Sequence, residues 1–303
     1  MTPPKVCVLV LNFNGTEDSR RCLQSLQKLK YPDFGILFID NGSADTTWKE
    51  MVRAFPAVHV LPNNDNLGYA GGNNAGMSWA MDRGYEDVFI LNNDIEVDPD
   101  CLTEIEAALK QYPEATLASP LIIDRENKSL LHSCGSRINW FRLRPEEGCF
   151  GLNRAAAPKN NLFAEIFPGA ALLIRGNFLR AGGFFNEKYF LIHEDAELCY
   201  RNRRLGHQNL VVPSARVYHA LSGTLSKYSR LSAYYSTRNF LFLAGSYASP
   251  SQKAQCAAGL IILSFKRAIE WVLGSTAKRN RSAGFFAGAM DFFLAKQGRK
   301  TGL

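Results

Sequence analysis

The segment Val88-Phe-Ile-Leu-Asn-Asn-Asp94 carries the clearest structural signal in this sequence. A short, uninterrupted apolar run of this kind is typical of a strand that is buried on both faces of a parallel sheet. Ligands of such sheets bind just beyond the carboxyl ends of the strands, which is where Asn92, Asn93 and Asp94 follow. A carboxylate there can bind a hard divalent cation, although a turn of Asn and Asp after a strand is the ordinary structural alternative.

Similar apolar runs alternate with helical patterns through the first hundred residues. Strands are predicted at Lys5–Leu11, Gly35–Ile39 and Val58–Leu61, and leucines recur at helical spacing between Cys22 and Leu29. Strands that alternate with helices predict βαβ units. The predicted fold class is therefore α/β, with a Rossmann-like, mostly parallel sheet, helices on both of its faces and a helical extension at the C-terminus.

Three polar segments fall at the ends of predicted strands: Asn12–Gly15, Asp40–Ser43 and Asn92–Asp94. They are expected to meet along one edge of the sheet. There Asp40 can accept hydrogen bonds from a ribose or a base, and Gly42 and the Gly/Asn-rich stretch Gly68–Gly76 can let the backbone approach a ligand closely. Taken alone, Asp40–Ser43 is more often a turn followed by a helix cap.

Glu194 and Asp195 stand at the start of a predicted helix that continues through Ala196–Arg204. Acids at this position commonly cap a helix and face the positive end of its dipole. A general base is the functional alternative, since sugar transfer to a hydroxyl requires removal of the acceptor's proton. His219 is most simply a packed or surface residue, yet a neutral imidazole there can complete a metal site begun by Asp94.

Composition narrows the function classes. The chain has 303 residues, 46% of them hydrophobic and 21% charged, as in an ordinary globular protein with a sizeable core. Its seven scattered cysteines include no C-x-x-C, which argues against a disulfide framework or a cysteine zinc site and favours a reducing compartment. No signal peptide and no uncharged apolar stretch of membrane-spanning length is visible. A cytoplasmic protein, or one bound peripherally to the inner face of the plasma membrane, is therefore expected.

The net charge lies in the C-terminal segment. Residues 250–303 carry nine Lys or Arg and two acids, which accounts for the net charge of +7 of the whole chain. An apolar helical face at 254–273, followed by aromatic and basic residues, is typical of a helix that lies in a membrane interface. Packing on the catalytic domain or on a partner in a homodimer is the alternative. Nucleic acid is not expected as a partner, because the aromatics follow helical spacing and the rest of the chain is neutral.

Eight segments, taken in order, carry a family resemblance. They are Val8–Asn14, Ile39–Thr46, Asn66–Gly76, Phe89–Asp94, Pro168–Arg175, Gly182–Phe185, His193–Arg201 and Tyr235–Asn239. In this order and spacing they resemble the family-2, inverting glycosyltransferases of the GT-A fold, and most closely the rhamnosyltransferase-like branch. The resemblance covers about residues 5–245. It implies a GT-A catalytic domain over 1–245 and a basic amphipathic helical tail over 246–303.

The resemblance implies a pocket for a nucleotide-diphospho-sugar. Asp40 would hold the base or the ribose, with the backbone of Asn12–Asn14 beside it. The residues implied for this pocket are Asn12, Asn14, Asp40, Asn66, Gly68, Asn73, Asn92 and Asn93.

The same resemblance implies the groups that carry the chemistry. Asp94 would be the last acid of the metal-binding D-x-D motif, and His219 matches a position that contacts the metal or the diphosphate. Asp195 would be the general base of an E-D motif that includes Glu194. The first acid of D-x-D is Asn92 here, and an amide oxygen coordinates more weakly than a carboxylate. Mg²⁺ or Mn²⁺ is therefore expected to bind well only together with the donor diphosphate.

The expected reaction is inverting transfer of a sugar from dTDP-rhamnose or a UDP-sugar to a hydroxyl of a glycan or lipid-linked glycan, with Gly169 and Ala170 bordering the acceptor. A sugar-nucleotide-binding scaffold without catalysis is the second hypothesis, against which the intact Glu194-Asp195 pair argues. A nucleotidyltransferase is the third. It would be expected to carry a basic, glycine-rich phosphate loop near the N-terminus, whereas Asn12–Gly15 contains no Lys or Arg.

Overall fold

The computed structural model describes residues 3–44, 48–220 and 229–301. Within these ranges, a ten-stranded sheet and a two-stranded hairpin are surrounded by nine α-helices and one 3₁₀ turn. The strands are β1 (Val6–Asn12), β2 (Phe34–Asp40), β3 (His59–Pro62), β4 (Asp87–Asn92), β5 (Ile95–Val97), β6 (Ala115–Asp124), β7 (Leu131–Ser133), β8 (Ser136–Asn139), β9 (Arg144–Glu147), β10 (Leu162–Phe163), β11 (Ala171–Ile174) and β12 (Gln208–His219). The helices are α1 (Thr16–Leu26), α2 (Trp48–Ala54), α3 (Gly68–Met81), α4 (Cys101–Gln111), α5 (Gly176–Arg180), α6 (Glu194–Arg204), α7 (Arg230–Tyr247), α8 (Pro250–Leu273) and α9 (Thr276–Phe293).

The large sheet has the strand order β10-β12-β6-β11-β4-β1-β2-β3, with β5 added to β12 and β7 added to β6. Strands β4, β1, β2 and β3 are parallel to one another, as are β6 and β12, whereas β11 runs antiparallel between β4 and β6. The predicted α/β, mostly parallel sheet is thus confirmed. Asn12 is paired in register with Asp40, and Leu11 with Asn92, so the predicted polar segments leave the sheet side by side.

Alternate side chains of β1 pack into two cores on opposite faces of the sheet. Cys7 and Leu9 pack with residues of α3, α6 and α7, whereas Val8 and Val10 pack with residues of α1, α2 and α4. All four side chains are fully buried. A strand buried on both faces needs apolar residues at every position, which explains the uninterrupted runs in the sequence. Helices therefore cover both faces, as predicted.

The Gly/Asn-rich stretch is the first half of α3, not a loop that brings backbone to a ligand. A Cβ at Gly72 would meet the side chains of Leu11 and Asn41, and a Cβ at Gly76 would meet Ile39. Glycine at these positions lets α3 lie close against β1 and β2. At Gly72 and Gly76 the close approach is therefore between helix and sheet, and the approach of the remaining glycines to a ligand stays a prediction.

The polar region 124–159, predicted as a variable loop or a short hairpin, contains the β8–β9 hairpin. A disulfide joins Cys134 to Cys149 beside this hairpin, with the two Cα atoms 6.0 Å apart. This pair contradicts the expectation that the cysteines form no disulfide. The chain reversal brings the two residues together, and a separation of 15 residues leaves no recognisable motif. The other five cysteines are buried free thiols.

The C-terminal helices pack on one another and on the α/β body. A Cβ at Gly284 or Gly288 would overlap the carbonyl oxygens of Arg230 and Tyr234, so α9 lies directly against α7. The hydroxyl of Tyr234 donates to Asp291 Oδ2 at 2.8 Å. In contrast, α8 has only two buried residues over its length. Among the helices of the described ranges, none combines the length and the apolar character needed to cross a membrane.

Candidate active site

Asn12 is the centre of a hydrogen-bonded network at the carboxyl ends of β1 and β2. Its amide donates to Asp40 Oδ1 at 3.0 Å and to Ser43 Oγ at 3.2 Å, and Ser43 Oγ donates to the same Asp40 oxygen at 2.6 Å. The amide of Asn93 donates to Asn12 Oδ1 at 3.3 Å. Asn12 is fully buried and Asp40 nearly so. The structure thus joins the three predicted polar segments and uses the Asn12 side chain to hold Asp40.

The turns that follow β1 and β2 are bonded to each other. The N–H of Asn14 donates to Ser43 Oγ at 3.0 Å, and the N–H of Ala44 donates to Asn14 Oδ1 at 2.9 Å. Asn14 and Gly42 both have left-handed backbone, with φ of 54° and 73°. A Cβ at Gly42 would meet the backbone of Asp65. The two turns therefore form one unit against the segment that leads into α3.

Asn41 holds the segment before α3 and was not singled out from the sequence. Its amide donates to Asn66 Oδ1 at 3.2 Å and to the carbonyl oxygen of Gly68 at 3.0 Å. Its own Oδ1 accepts from the N–H of Leu67 and the amide of Asn63. Asn66 and Gly68 are therefore placed beside the Asp40 turn by a buried neighbour of Asp40.

Asn73 lies inside α3 and is fully buried. Its amide donates to the carbonyl oxygen of Tyr69 at 2.9 Å, one turn earlier, and its Oδ1 has no protein partner. A buried acceptor without a donor is costly, typically ~1–3 kcal/mol. Its unpaired oxygen sits one helical turn from Tyr69, whose hydroxyl donates to the carbonyl oxygen of Gly169.

His219, at the end of β12, faces Asp94. Its Nε2 is 3.1 Å from Asp94 Oδ1, and that oxygen is buried without a hydrogen-bond partner. The Nδ1 of His219 lies 3.0 Å from Nδ1 of His132, and the two rings are stacked. Burial, and then the neighbouring His219, lower the pKa of His132 to about 4. His132 is therefore neutral at pH 7 and can accept the N–H of His219.

Asp94 and His219 fit a divalent cation. Two neighbouring ligands of an octahedral ion with bonds of ~2.1 Å are roughly 3.0 Å apart. A metal-bound histidine usually donates its second ring N–H to another group. For His219, that acceptor would be Nδ1 of His132. In the part of the chain that the structure describes, no group of three or more His, Cys, Asp or Glu forms a metal cluster. Further ligands would have to be diphosphate oxygens and water, as Mg²⁺ prefers.

Asp195 lies in the first turn of α6 with both carboxylate oxygens held. Oδ2 accepts the N–H of Gly169 at 2.8 Å, and Oδ1 accepts the N–H of Ala196 at 2.7 Å. Burial raises the pKa of Asp195, and these two hydrogen bonds oppose the shift. Glu194 is buried with Oε2 unpaired, and burial together with the charge of Asp195 raises its pKa well above the ordinary value. The raised pKa of Glu194 favours its protonated form, whereas the two N–H groups on Asp195 favour the charged carboxylate.

The pair Gly169–Ala170 connects Asp195 to the turn after β4. The N–H of Gly169 binds Asp195, and the next carbonyl, of Ala170, accepts the N–H of Asn92 at 2.9 Å. The hydroxyl of Tyr69 donates to the carbonyl oxygen of Gly169 at 2.6 Å. A Cβ at Gly169 would lie 3.1 Å from this hydroxyl and 3.2 Å from Asp195 Cβ. The site is therefore rigid here, and Gly169 supports the carboxylate directly.

The loop before Asp195 is strained and is held by α7. Phe190, Ile192 and His193 have left-handed backbone, with φ of 61°, 70° and 71°. Such conformations cost free energy in non-glycine residues and persist only where the surroundings impose them. The amide of Asn239 donates to the carbonyl oxygens of Tyr189, Leu191 and Ile192, each at 2.8 Å. Asn239 thus imposes the path of the chain into Glu194-Asp195.

Arg238 supports the same loop from the neighbouring position of α7. It is fully buried, and its guanidinium donates to the carbonyl oxygens of Lys188, Tyr189 and Gly298. The motif Tyr235–Asn239 contributed to the family resemblance, but its spacing alone gives no hint that it holds the loop of the E-D motif.

The sheet topology, with one acid after β4 and one at the start of α6, is that of the GT-A fold. The crystal structure of GalNAc-T7 with UDP, GalNAc and Mn²⁺ superimposes on this chain with a TM-score of 0.68 at 17% identity. The superposition covers 97% of this chain and 58% of that chain. At this identity the likeness establishes the fold.

Residues 7–167, more than half of the chain, match the family described as Glycosyl transferase family 2. The protein belongs to this family and is a glycosyltransferase. The chain is 27% identical over 268 residues to the N-acetylglucosaminyl-diphospho-decaprenol L-rhamnosyltransferase of Mycobacterium tuberculosis, with 78% of this chain and 83% of the relative covered. It is 24% identical over 217 residues to the low-salt glycan biosynthesis hexosyltransferase Agl10 of Haloferax volcanii, with 71% of this chain and 66% of the relative covered. It thus spans just under two thirds of the Haloferax protein.

Proposed function

We propose that this glycosyltransferase inverts the anomeric centre of a sugar donated by a nucleotide-diphospho-sugar. The observation that carries the proposal is the pair of contacts made by the segment Gly169–Ala170. The N–H of Gly169 donates to the Asp195 carboxylate, and the carbonyl oxygen of Ala170 accepts the N–H of Asn92, just before Asp94. A base for the acceptor and a group for the leaving diphosphate are thereby held in one rigid frame. Inversion requires such groups on opposite sides of the reacting carbon.

Asp195 acts as the general base. As the acceptor oxygen forms its bond to the anomeric carbon, the bond from that carbon to the diphosphate oxygen breaks, and Asp195 takes the hydroxyl proton. The two backbone N–H groups on its carboxylate fix its orientation while leaving lone pairs for this proton. Glu194 is the buried neighbour of this base in the first turn of α6.

Asp94 and His219 would hold Mg²⁺ or Mn²⁺. A bound divalent ion neutralises charge on a departing diphosphate. In support, Asp94 Oδ1 is buried and lies 3.1 Å from His219 Nε2, and the structural relative GalNAc-T7 was crystallised with UDP and Mn²⁺. The network of Asn12 and Ser43 on Asp40 would present that carboxylate to the ribose or base, beside Asn14, Asn66, Gly68 and Asn73.

The donor is proposed to be dTDP-rhamnose or a UDP-sugar, and the acceptor a glycan or a lipid-linked glycan. The mycobacterial relative is named as a rhamnosyltransferase that acts on a sugar diphosphate of decaprenol, which favours rhamnose and a lipid-linked acceptor. Such an acceptor lies in a membrane. The C-terminal helices are proposed to hold the enzyme at that surface, on the cytoplasmic side.

Replacement of Asp195 by Asn tests the base. The variant should fold, bind donor with unchanged affinity, and lose at least about 100-fold in transfer rate. Asp82→Asn, an exposed acid after α3, is the matched control and should transfer normally. A thermal-shift screen of nucleotide-sugars with and without Mn²⁺ identifies the donor, since a ligand at 100 times its Kd stabilises the fold by ~2.7 kcal/mol. Near-wild-type transfer by Asp195→Asn would remove the assignment of the base, and absence of donor turnover in the wild type would favour a binding scaffold.

A further inference from the structure

The outer side of α8 is apolar and exposed. Ile261, Phe265, Ile269 and Val272 recur at helical spacing on this side, and Phe265 is 70% exposed. Only Cys256 and Gly259 of this helix are buried. A contiguous apolar surface of this kind is rare on a soluble monomer and marks a surface that binds something.

Helix α9 extends this surface. Phe286, Met290 and Phe293 are exposed and also recur at helical spacing. Phe286 borders the same hollow as Trp271 and Val272 at the end of α8, so the two helices form one continuous surface. We call this surface the apolar ridge, and its members are Ile261, Phe265, Ile269, Val272, Phe286, Met290 and Phe293.

A groove of about 570 Å³ lies between the tip of the β8–β9 hairpin and helices α7, α8 and α9. Its floor is apolar and includes Leu143, Leu263 and Phe285. No acidic residue lines it in the described part of the chain. Five cationic residues do, and we call the cavity the basic groove: Arg142, Arg144, Lys266, Arg267 and Arg281. Arg142 pairs with Glu146 of the hairpin, at 3.2 Å.

The two acids of the C-terminal segment are turned inward. Glu270 pairs with Arg267 and Arg281, and Asp291 pairs with Lys296 and Lys300. The outward charge beside the apolar ridge is therefore positive. A second copy seated on the ridge would place two surfaces of like charge together, which is unfavourable. Anionic lipid supplies both the apolar phase and the opposite charge.

The basic groove is adjacent to the elements that hold Asp195. Ser236 and Thr237 of α7 line it. The ring of Trp140, at the hairpin tip, packs on Phe240 with centroids 5.7 Å apart, and Phe240 packs on His193 at 5.6 Å. Trp140 and Phe240 thus connect the hairpin tip, which borders the groove, to the loop that leads into Glu194 and Asp195.

We propose that the apolar ridge inserts into the surface of an anionic membrane and that the basic groove binds the phosphate group of a lipid in that membrane. The lipid carrier of the acceptor would be the functional occupant, a link that rests on the proposed function. Binding of the ridge and groove to anionic lipid stands without it.

The test is flotation of the full-length protein with phosphatidylcholine vesicles, with and without phosphatidylglycerol. Two double variants separate the parts of the surface: Phe265→Ser with Ile269→Ser for the ridge, and Arg144→Glu with Lys266→Glu for the groove. The matched control is Arg53→Glu with Lys110→Glu, which makes the same change in net charge on α2 and α4, over the other face of the sheet. Circular dichroism and Tm establish that each variant is folded.

The wild type and the control should bind vesicles that contain phosphatidylglycerol. Each ridge or groove variant should bind them at least about 10-fold more weakly, since each basic residue and each buried apolar side chain contributes at this scale. If the control variant bound the vesicles as weakly as the groove variant, the effect would be due to net charge alone, and the proposed lipid site in the basic groove would be overturned. Failure of the wild type to bind, or a dimer that Phe265→Ser dissociates in light scattering, would overturn the membrane surface. Because flotation needs no donor, its outcome is independent of the transfer assay on Asp195→Asn.

Discussion

The N–H of Gly169 donates to Asp195 Oδ2 across 2.8 Å, while the carbonyl oxygen of the same residue accepts the hydroxyl of Tyr69 at 2.6 Å. Through these two hydrogen bonds, Gly169 connects Asp195, the proposed base, to Tyr69 of α3. The carboxylate is buried enough for its pKa to rise above 3.8, yet it keeps two donors that favour the charged form. Burial therefore raises the pKa of Asp195, and the hydrogen bonds from the two backbone N–H groups partly offset this increase.

The first prediction concerns the pH dependence of transfer. A base must be deprotonated, and burial raises the pKa of Asp195, so kcat/KM should fall as pH drops through a value above 3.8. Full activity belongs to the higher pH, where the carboxylate is charged. The measurement is the acid limb of kcat/KM with saturating metal. Glu194→Gln is the control: it removes the neighbouring titratable group, so an acid limb that stays in place belongs to Asp195. A limb that moves with Glu194→Gln would assign the titration to Glu194 or to the pair.

The second prediction concerns His132, which fixes the orientation of His219 through the contact at 3.0 Å. His132→Ala should weaken Mn²⁺ binding in the presence of nucleoside diphosphate by about 10- to 100-fold, as for other residues that support a metal ligand. Calorimetric titration of Mn²⁺ measures this without turnover. His207→Ala removes a histidine that contacts Phe178, away from Asp94, and should leave affinity unchanged. Equal Mn²⁺ affinity in His132→Ala and the wild type would show that His219 needs no such support.

His132 also shows where the sequence stops being informative. The α/β class, the turn at Asp94 and the E-D pair follow from local apolar runs and from motifs whose residues are close in the chain. His132 and His219 are 87 residues apart in the sequence. They meet because β7 and β12 both pair with β6. Strand β12 itself reads as two short pieces, since its register shifts between Val212 and Arg216. Contacts between side chains on distant strands depend on strand order and register, which cannot be predicted from a local sequence pattern.

The third prediction concerns Asn239, whose amide supports three carbonyl oxygens of the loop before Glu194. Asn239→Ala removes the side-chain donor from the carbonyl oxygens of Leu191 and Ile192, at ~1–3 kcal/mol for a buried group, whereas the carbonyl of Tyr189 keeps the bond from Arg238. The free energy of unfolding should fall by at least about 2 kcal/mol, and kcat should fall while donor Kd is unchanged. Urea denaturation and donor titration measure the two effects. Asn239→Asp keeps the volume and the acceptor for Arg238 Nε but loses the donor to the carbonyl oxygens, so its kcat should be no higher than that of Ala. An Asp variant with wild-type kcat would show that the amide donor is not needed. Asn160→Ala, on the surface, is the matched control.

The fourth prediction concerns the contact between α8 and the β8–β9 hairpin, where Gly259 allows the close approach. A Cβ at Gly259 would overlap the carbonyl oxygen of Phe141 at the tip of the hairpin, whereas a Cβ at Gly245 in α7 meets nothing within 4 Å. Gly259→Ala should therefore lower the free energy of unfolding by about 1–3 kcal/mol, because α8 must move off the hairpin. Gly245→Ala should raise it by up to about 1 kcal/mol, because alanine is the better helix former. Chemical denaturation of the pair measures the difference. Equal stability of the two variants would mean that α8 does not pack on the hairpin. The basic groove would then lose the contact that brings two of its walls together.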